Sequence, residues 1–364
     1  MSKLVTALGL MSGTSLDGID VALIRTDGDN IVERGASMTF AYADYQRELL
    51  QTALMDARMV EQRDERPGSL ASIELEITDW HVSAVQHFLS ENPAEVDVIG
   101  FHGQTVIHRR EKKLTVQLGV GQILADKLGI QVVYDMRAAD VAAGGQGAPL
   151  VPVYHRALAA DVAERPVVFV NIGGVSNITA IDSQGEMIAF DTGPGNALLD
   201  DWAGKHTGIA RDVDGALAAR GTADQATLEK FMAAEFFQAA PPKSLDRNSF
   251  AGISIEGLTP ENGAATLVEV TTRSIARATE WLPEKPKTWV ICGGGRHNPE
   301  ILKSLTQKLP DVKTAEDFGF DGDSVEAEAW AYLAVRSLKG LPLTFPTTTN
   351  VSEPMTGGVL AFLR

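Results

Sequence analysis

The sequence is poor in cysteine, because Cys292 is the only one among its 364 residues. A single cysteine excludes an intrachain disulfide framework and a zinc site of the Cys-x-x-Cys type, and it fits a protein of the reducing cytoplasm. No segment approaches the roughly 18 apolar residues of a membrane-spanning helix, and the N-terminal residues do not resemble a signal peptide. We therefore expect a soluble cytoplasmic protein.

Positive charge is also scarce. The chain has 32 Lys and Arg residues against 48 Asp and Glu residues, which gives a net charge of −16 at pH 7. Without basic clusters, such a chain is poorly suited to bind nucleic acid or an anionic membrane, and we expect neither as a partner. An anionic small molecule would need local devices such as glycine turns, helix N-termini or a metal ion.

Two common nucleotide-binding motifs are missing. The sequence has no G-x-x-x-x-G-K-[ST] motif; "WAGKHTG" at Trp202–Gly208 contains Gly-Lys but lacks the upstream glycine and the following hydroxyl residue. No G-x-G-x-x-G follows a strand-like run, which removes the Rossmann interpretation. If the protein binds a nucleotide, we expect paired hairpins to hold it.

Apolar runs such as Pro166–Ile172 alternate with helix-like stretches such as Ala264–Trp281, which predicts an α/β fold. The length suggests about two domains. A strand, a small-residue turn and a second strand open the chain, and the same pattern returns after Pro166. The glycine- and proline-rich segment Ala142–Pro152 marks a boundary between the two copies. We predict domain I over 1–145, domain II over 146–354, a return of 355–364 to domain I, and a ligand cleft between the domains.

Three glycine turns each follow a strand-like run: "MSGTSLDG" (Met11–Gly18), "NIGGVSN" (Asn171–Asn177) and "CGGGRHN" (Cys292–Asn298). Glycine lets the backbone approach a ligand closely and present its N–H groups to an anion. Hydroxyl groups add donors for phosphate oxygens, and an Asp at a turn can hold a divalent cation through water. Any one of these segments could be an ordinary turn, but three together favour phosphate binding.

A fourth segment, "AFDTGPGN" (Ala189–Asn196), places Asp191 at the end of an apolar strand. Thr192–Gly195 are predicted to form a turn, and Asn196 to be the N-cap of the helix that follows. An Asp beside glycine amides and a helix N-terminus is well placed to move a proton next to a phosphoryl group. The alternative is that Asp191 only stabilises the turn.

At this point the motifs indicate a family. The segment Gly9–Leu23 together with "DTGPGN" resembles anhydro-N-acetylmuramic acid kinase, of the sugar kinase–Hsp70–actin fold group. Further matching segments, spread over almost the whole chain, are Gly100–His108, Tyr134–His155, Val170–Thr179, Asp201–Gly208, Pro241–Phe250, Cys292–Pro299 and Glu326–Ala334. The resemblance implies two related actin-like (ribonuclease H-like) domains with an ATP-binding cleft between them. Two segments depart from the family pattern, His108–Lys113 and Thr347–Phe362.

The resemblance also implies a reaction and its participants. The family opens the 1,6-anhydro ring of 1,6-anhydro-N-acetylmuramic acid with water and transfers the γ-phosphoryl group of ATP to O6, giving N-acetylmuramic acid 6-phosphate in peptidoglycan recycling. Asp191 would take a proton from the attacking water. ATP would be the phosphoryl donor, with Mg²⁺ held through its phosphates and water, and the protein would be a homodimer. Left open are a kinase of this fold for another sugar and a non-catalytic nucleotide-dependent switch.

Carried over residue by residue, the resemblance implies two further sets of site residues, one that binds the sugar and one that binds ATP. Sugar-binding residues would be Thr105, Arg137 and Glu326. Arg137 could bind the lactyl carboxylate with two hydrogen bonds; its alternative role is a salt bridge to Asp135 or Asp140. Glu326 could instead be only a first-turn acid of a helix, and we expect nearby His102 to be a packed, hydrogen-bonded histidine. ATP-binding residues would be Gly13, Thr14, Ser15, Leu16, Asp17, Gly18, Ile19, Asp20, Gly173, Gly174, Asn177, Gly293, Gly294, Gly295 and Asn298.

Overall fold

The computed structural model describes residues 3–245, 250 and 255–363. The segment Pro241–Phe250 of the family resemblance therefore lies in part outside the described residues. Residue contacts divide the chain into two compact units, Met1–Leu158 with Ser324–Arg364, and Ala159–Asp323. These limits differ from the expected domain boundaries, which lay between residues 145 and 146 and between residues 354 and 355. Residues 146–158 and 324–354 belong to the first unit instead.

Strands and helices alternate along most of the chain. The strands are β1 (Val5–Ser12), β2 (Gly18–Thr26), β3 (Val32–Ala41), β4 (Val98–Arg109), β5 (Leu114–Leu118), β6 (Val132–Tyr134), β7 (Val167–Ile172), β8 (Val175–Ile181), β9 (Met187–Pro194), β10 (Thr288–Cys292), β11 (Val312–Thr314) and β12 (Val359–Ala361). The helices are α1 (Asp44–Asp56), α2 (Leu70–Glu91), α3 (Gly121–Leu128), α4 (Ala138–Ala142), α5 (Pro152–Leu158), α6 (Ala197–Thr207), α7 (Gln225–Met232), α8 (Pro260–Arg277), α9 (Pro299–Lys308), α10 (Val325–Leu338) and α11 (Pro346–Thr349).

The sheet of the first unit has the order β12-β6-β4-β1-β2-β3, with β5 paired to β4. Strands β1, β2 and β3 form an antiparallel meander, whereas β4 runs parallel to β1 and β6 runs parallel to β4. Strand β12 pairs antiparallel with β6 through Val359 and Tyr134, so the end of the described chain completes this sheet. A parallel neighbour needs a crossover connection, and α2 lies in the one between β3 and β4.

The sheet of the second unit repeats this plan with the order β11-β10-β7-β8-β9. Strands β7, β8 and β9 are antiparallel, β10 is parallel to β7, and β11 is parallel to β10. The order corresponds strand for strand to β6-β4-β1-β2-β3 of the first unit. This correspondence confirms the predicted α/β class with two related ribonuclease H-like units.

Helix α10 lies on the sheet of the first unit because two glycines let it approach. A Cβ atom added at Gly9 of β1 would lie 1.7 Å from the carbonyl oxygen of Ala327, and one at Gly100 of β4 would lie 2.0 Å from that of Trp330. No side chain fits at either position. This packing explains why the chain after residue 323 belongs to the first unit. The composition of the boundary segments does not indicate this assignment.

The substitution Gly100→Ala is expected to lower the midpoint of thermal unfolding, because the added methyl group would displace α10. Overpacking of this kind costs about 1–3 kcal/mol of unfolding free energy. The matched control is Gly204→Ala in helix α6, where the nearest atom to the new Cβ lies 3.9 Å away. Calorimetry of both variants checks the prediction, and an unchanged midpoint for Gly100→Ala would contradict it.

Within the described part of the chain, no helix combines the length and apolarity needed to cross a membrane.

Candidate active site

The first glycine turn joins β1 to β2 in the first unit. Its residues Thr14, Ser15 and Asp17 are exposed, and the Ser15 hydroxyl donates to Asp17 at 2.8 Å. The backbone N–H of Tyr42 donates to the carbonyl of Asp17 at 2.9 Å, which ties the turn to the chain after β3. Leu16 has a φ of +57°, so the turn is sharp at this residue. The exposed face of the turn therefore carries two hydroxyl groups and a carboxylate.

Other predicted ATP residues of this turn have structural roles. Leu16 and Ile19 have side chains in the core, so any ligand contact there would go through the backbone. Gly18 has no room for a side chain, because a Cβ atom would lie 2.5 Å from the carbonyl oxygen of Phe40. The carboxylate of Asp20 accepts a hydrogen bond from Thr39 at 2.6 Å across the β2–β3 pair.

A buried polar network lies under the turn. Ser12, fully buried, donates to the side-chain oxygen of Gln104 at 2.5 Å and lies 2.7 Å from the Tyr42 hydroxyl. The amide nitrogen of Gln104 donates to the carbonyl of Gly13 at 3.2 Å. His102 Nδ1 lies 3.0 Å from the carbonyl oxygen of Ser12. The start of the turn is thus held to β4 by hydrogen bonds.

Two glycine turns of the second unit are bonded directly to each other. The N–H groups of Gly195 and Ala197 donate to the carbonyl of Gly174 at 3.0 and 3.3 Å, and that of Asn196 donates to Gly173 at 2.7 Å. A Cβ atom at Gly195 would lie 2.1 Å from the carbonyl oxygen of Gly173. Gly195 is therefore required for the contact between the turn after β7 and the turn after β9.

The third glycine turn joins this assembly. A Cβ atom at Gly293, whose φ is +72°, would lie 2.2 Å from Asn171 Oδ1, and one at Gly295 would lie 2.3 Å from Ile172. Asn298 caps helix α9, since its Oδ1 accepts the N–H of Glu300 at 3.0 Å. Its side-chain oxygen is therefore engaged by the helix.

Asn196 precedes helix α6 as predicted, but its side chain does not cap the helix. Its Nδ2 donates instead to the carbonyl of Ile172 at 3.2 Å, and no side-chain cap bond is formed. The side chain thus joins the turn after β9 to the end of β7.

Some of the glycines have no role in packing. A Cβ atom would meet nothing closer than 3.7 Å at Gly173 and 3.6 Å at Gly174 and Gly294, and its nearest neighbour at Gly13 would be the movable Ser15 hydroxyl at 3.2 Å. None of these four has a φ in the left-handed region. The fold therefore tolerates a side chain at these sites, which suits turns whose backbone must meet a ligand closely.

Asp191 lies in β9, opposite Asn177 of β8 in the strand register. Its Oδ2 accepts the backbone N–H of Leu245 at 2.6 Å, and its own N–H donates to the carbonyl of Lys243 at 2.9 Å. The first bond orients the carboxylate, and the second holds the backbone of β9 at this residue. The side chain is only half-buried, as a group that exchanges a proton with a bound molecule needs to be.

The three predicted sugar residues lie in the first unit around His102. Arg137 donates from Nε and Nη2 to His102 Nε2 at 3.3 and 3.2 Å and from Nη1 to the carbonyl of Gly147 at 2.8 Å. Thr105 Oγ1 lies 3.4 Å from the same nitrogen of His102. Glu326 lies in the first turn of helix α10, one turn before Trp330. The Trp330 ring lies 4.5 Å from that of His102 and 5.1 Å from the Arg137 guanidinium.

The protonation of this group follows from its partners. Arg137 can only donate to Nε2 of His102, so Nδ1 carries the proton and donates to the carbonyl of Ser12. Burial and the neighbouring Arg137 cation hold the pKa of His102 well below its usual range, which keeps the ring neutral. Burial lowers the pKa of Arg137 to about 10, although the charge of Glu326 acts in the opposite direction. Arg137 is thus a cation at neutral pH, hydrogen-bonded to two neutral acceptors.

The two carboxylates considered as salt-bridge partners of Arg137 are engaged elsewhere. Asp135 pairs with Arg63, whose Nη2 lies 2.6 and 2.7 Å from its two oxygens. Asp140 accepts the N–H of Gly147 and the hydroxyl of Thr349, both at 2.6 Å. The structure therefore does not support the alternative in which Arg137 only closes one of these salt bridges.

His102 is the feature of the site that sequence reasoning underestimated. The expectation of a packed, hydrogen-bonded histidine is confirmed, but this residue also links the glycine turn, through Ser12, to Arg137. Its position three residues before Thr105 in "HGQT" was the available signal. Among the described residues, no group of three or more His, Cys, Asp or Glu side chains is arranged to hold a metal ion.

Comparison with known proteins identifies the family. A family model described as anhydro-N-acetylmuramic acid kinase matches residues 5–362. The protein of that name from Bradyrhizobium diazoefficiens is 51% identical over 364 residues, covering 98% of this chain and 99% of its own. The one from Agrobacterium fabrum is 50% identical over 370 residues, covering 99% of both chains.

Among solved structures, the activator of 2-hydroxyisocaproyl-CoA dehydratase from Clostridium difficile aligns with a TM-score of 0.47 and 10% identity, covering 92% of this chain and 96% of its own. The family assignment rests on the sequence matches, which extend over the glycine turns, Asp191 and Arg137 alike. The chain is a kinase and belongs to the anhydro-N-acetylmuramic acid kinase family.

Proposed function

We propose that the protein opens the 1,6-anhydro ring of 1,6-anhydro-N-acetylmuramic acid with water and transfers the γ-phosphoryl group of ATP to O6. The product is N-acetylmuramic acid 6-phosphate, and the sugar comes from peptidoglycan recycling. The observation that carries the proposal is the position of Asp191. Asp191 lies on strand β9, which leads into the bonded glycine turns of the same unit, and the N–H of Leu245 orients its carboxylate.

In the first step, Asp191 accepts a proton from the water that attacks the anomeric carbon. A bond forms between the water oxygen and C1, and the bond between C1 and O6 breaks, so O6 leaves the bridge. In the second step, O6 attacks the γ-phosphorus, and the bond from that phosphorus to the oxygen of ADP breaks. A carboxylate can serve as the base because charge develops on the water only in the transition state.

The glycine turns supply the donors for the phosphates of ATP. The backbone at Gly13, Gly173, Gly174 and Gly294 has open space where a side chain would stand, so a phosphate could approach it there, and the turn after β1 adds the exposed hydroxyls of Thr14 and Ser15. Asp17 of that turn and Asp20 of β2 are the carboxylates that would hold Mg²⁺ through water. When bound, Mg²⁺ neutralises charge on the transferring phosphoryl group.

Arg137, Thr105 and Glu326 would bind the sugar. The lactyl group of muramic acid is a carboxylate, and Arg137 is a half-buried cation whose acceptors within the first unit, His102 and Gly147, are both neutral. An incoming carboxylate would bind this cation through a charge-assisted hydrogen bond. Thr105 offers a hydroxyl group, and Glu326 an acceptor for sugar hydroxyls.

The substitution Gly174→Ala is expected to raise KM for ATP about 10-fold, which corresponds to about 1.4 kcal/mol, without lowering thermal stability. The added methyl group has room in the fold but would stand where a phosphate approaches. Gly195→Ala provides the contrast, since its Cβ would overlap the carbonyl of Gly173. That variant should lose about 1–3 kcal/mol of stability instead. ATP titrations and calorimetry of both variants separate the two roles, and an unchanged KM for Gly174→Ala would argue against the phosphate contact.

The reaction is tested by measuring ADP and reducing sugar together. The anhydro sugar has no reducing end, so ring opening must release one reducing end for each ADP. We expect this 1:1 ratio with 1,6-anhydro-N-acetylmuramic acid and no activity with glucose. ADP without a reducing end would remove the hydrolytic step. Activity only on an open-ring sugar would favour a kinase for another sugar, and the absence of sugar-dependent ADP would favour a nucleotide switch.

We further propose that the protein acts in the cytoplasm as a homodimer. The family resemblance supports the dimer, and sedimentation equilibrium of the full chain tests it. A mass near 39.0 kDa, that of one chain, would contradict the dimer.

A further inference from the structure

Strand β9, which carries Asp191, is the last strand in the sheet of the second unit, whose order is β11-β10-β7-β8-β9. A segment of chain that we call the edge segment, residues 241–245, bonds to the outer edge of this strand at Asp191. The carbonyl of Lys243 accepts the N–H of Asp191, and the N–H of Leu245 donates to the Asp191 carboxylate. Whatever holds the edge segment against β9 therefore also holds this carboxylate.

The side chain of Lys243 lies in an aromatic pocket of the second unit. Its Nζ lies 4.6 Å from the ring centroid of Phe236, 5.5 Å from that of Trp281 and 6.0 Å from that of Phe190. The same Nζ donates to the carbonyl of Phe236 at 3.1 Å. An ammonium group within about 6 Å of an aromatic ring is attracted by the negative face of that ring. Three rings and a carbonyl oxygen thus hold the ammonium group.

This ammonium group has given up part of its water. The side chain is partly buried. Burial and the neighbouring Arg277 cation lower the pKa of Lys243, whereas the charge of Glu280 acts in the opposite direction. A cation that loses water needs other partners, and its attraction to aromatic rings is stronger when it is desolvated. The contacts with Phe236 and Trp281 therefore anchor the edge segment.

Lys243 acts on Asp191 through the backbone and not through its own side chain. Successive side chains of a strand point to opposite faces of the sheet. Phe190 and Thr192 line one pocket together with Lys243, so Asp191, which lies between them in β9, points to the other face. Leu245 packs against the apolar core of the unit and gives the edge segment a second attachment. Loss of the Lys243 anchor would therefore displace the segment and not release it.

We propose that Lys243 is a positioning residue for the general base, an inference that rests on the proposed role of Asp191. Its anchored side chain fixes the carbonyl that accepts the N–H of Asp191. Two residues later, the same segment supplies the N–H of Leu245 that orients the carboxylate. A displacement of about 1 Å at a reacting group can lower a rate about 100-fold. The anchor therefore contributes to kcat and not to the binding of ATP or sugar.

The test compares Lys243→Met with Lys243→Arg. Methionine keeps the stem of the side chain as far as Cε and loses the ammonium group, and its sulfur packs well against aromatic rings, so the variant should fold. With 1,6-anhydro-N-acetylmuramic acid we expect kcat to fall about 10-fold, while KM for ATP and KM for the sugar change little. Arginine keeps a cation and a donor for the pocket, and it should retain most of kcat. Rates of ADP release, measured well below the unfolding midpoint of each variant, give these values.

Lys308→Met is the matched control, because Lys308 is also a partly buried lysine of the second unit. It donates to Glu269 and Ser304, so its loss should lower stability and leave kcat unchanged. Phe236→Leu removes the nearest ring without changing Lys243, and it decides the question should Lys243→Met fail to fold. An unchanged kcat in the folded variant, a rise in KM alone, or an equal loss of kcat in Lys308→Met would overturn the proposal.

A double variant shows whether Lys243 acts through Asp191. In Asp191→Asn the base is already lost, so the addition of Lys243→Met should lower kcat no further, whereas independent effects would multiply. A further loss of the same size would overturn the positioning role. The single variants separate this inference from the proposed function. An Asp191→Asn enzyme that keeps its kcat would remove the base itself, whereas an impaired Asp191→Asn beside an unimpaired Lys243→Met would remove only the positioning role.

Discussion

Asp191→Asn is expected to lower kcat about 10²- to 10⁴-fold, the range that general base catalysis contributes. Asparagine has the same shape and can still accept the N–H of Leu245 through its oxygen. The fold and the binding of ATP and sugar should therefore be kept, and KM should change little. What is lost is the ability to take a proton from water, which an amide does not have at neutral pH.

The matched control for this variant is Asp182→Asn, at the other end of the same β8–β9 hairpin. Asp182 accepts the N–H groups of Gln184 and Glu186 at 2.8 Å, a turn role that asparagine also fills. The control should be as active as the wild type. Steady-state rates of ADP release and of reducing-sugar formation in both variants test whether Asp191 is the base. An Asp191→Asn enzyme that keeps most of its kcat would show that another group is the base.

Arg137→Met should lower kcat/KM for 1,6-anhydro-N-acetylmuramic acid about 10- to 100-fold. Hydrogen bonds to charged groups contribute about 1.5–3 kcal/mol, and each 1.4 kcal/mol is a factor of ten. The loss should be much smaller for 1,6-anhydro-N-acetylglucosamine, which lacks the lactyl carboxylate. Methionine keeps an unbranched apolar side chain in place of the arginine stem, so the change removes mainly the cation and its donors.

The difference between the two sugars separates binding from structure. Arg137 also holds His102 and Gly147, and losing these bonds would affect both sugars alike. The control variant is Arg109→Met, since Arg109 donates to the carbonyls of Val60 and Arg58 in the same unit. Kinetics with both sugars check the prediction, and an equal loss would assign Arg137 a structural role only.

Local sequence chemistry was sufficient for the fold class and for the turns. Each of the three glycine turns does follow a strand, because glycine and small polar residues between apolar runs have few other solutions. The repeated opening hairpin also agrees with the strand order that the two sheets share. These features depend on residues a few positions apart. The prediction that the strand ends at Asp191 and turns over Thr192–Gly195 was wrong, because β9 continues to Pro194 through its pairing with β8.

Features that depend on distant residues could not be predicted in this way. Helix α10 packs on strands more than 200 residues earlier in the chain, through Gly9 and Gly100, and this packing moves the boundary of the first unit. Arg137 takes His102, 35 residues away, as its partner rather than the nearby Asp135 or Asp140. The side chain of Asn196 bonds a neighbouring turn instead of capping its helix.

The sequence by itself determined the α/β architecture, the glycine turns and the candidate base, because backbone conformation and strand pattern are properties of short segments. Only the tertiary structure decided which glycines have room for a side chain and which acceptors surround Arg137. The physical reason is that hydrogen-bond partners and free space arise from close packing between elements, and packing is set by residues that are far apart in the chain.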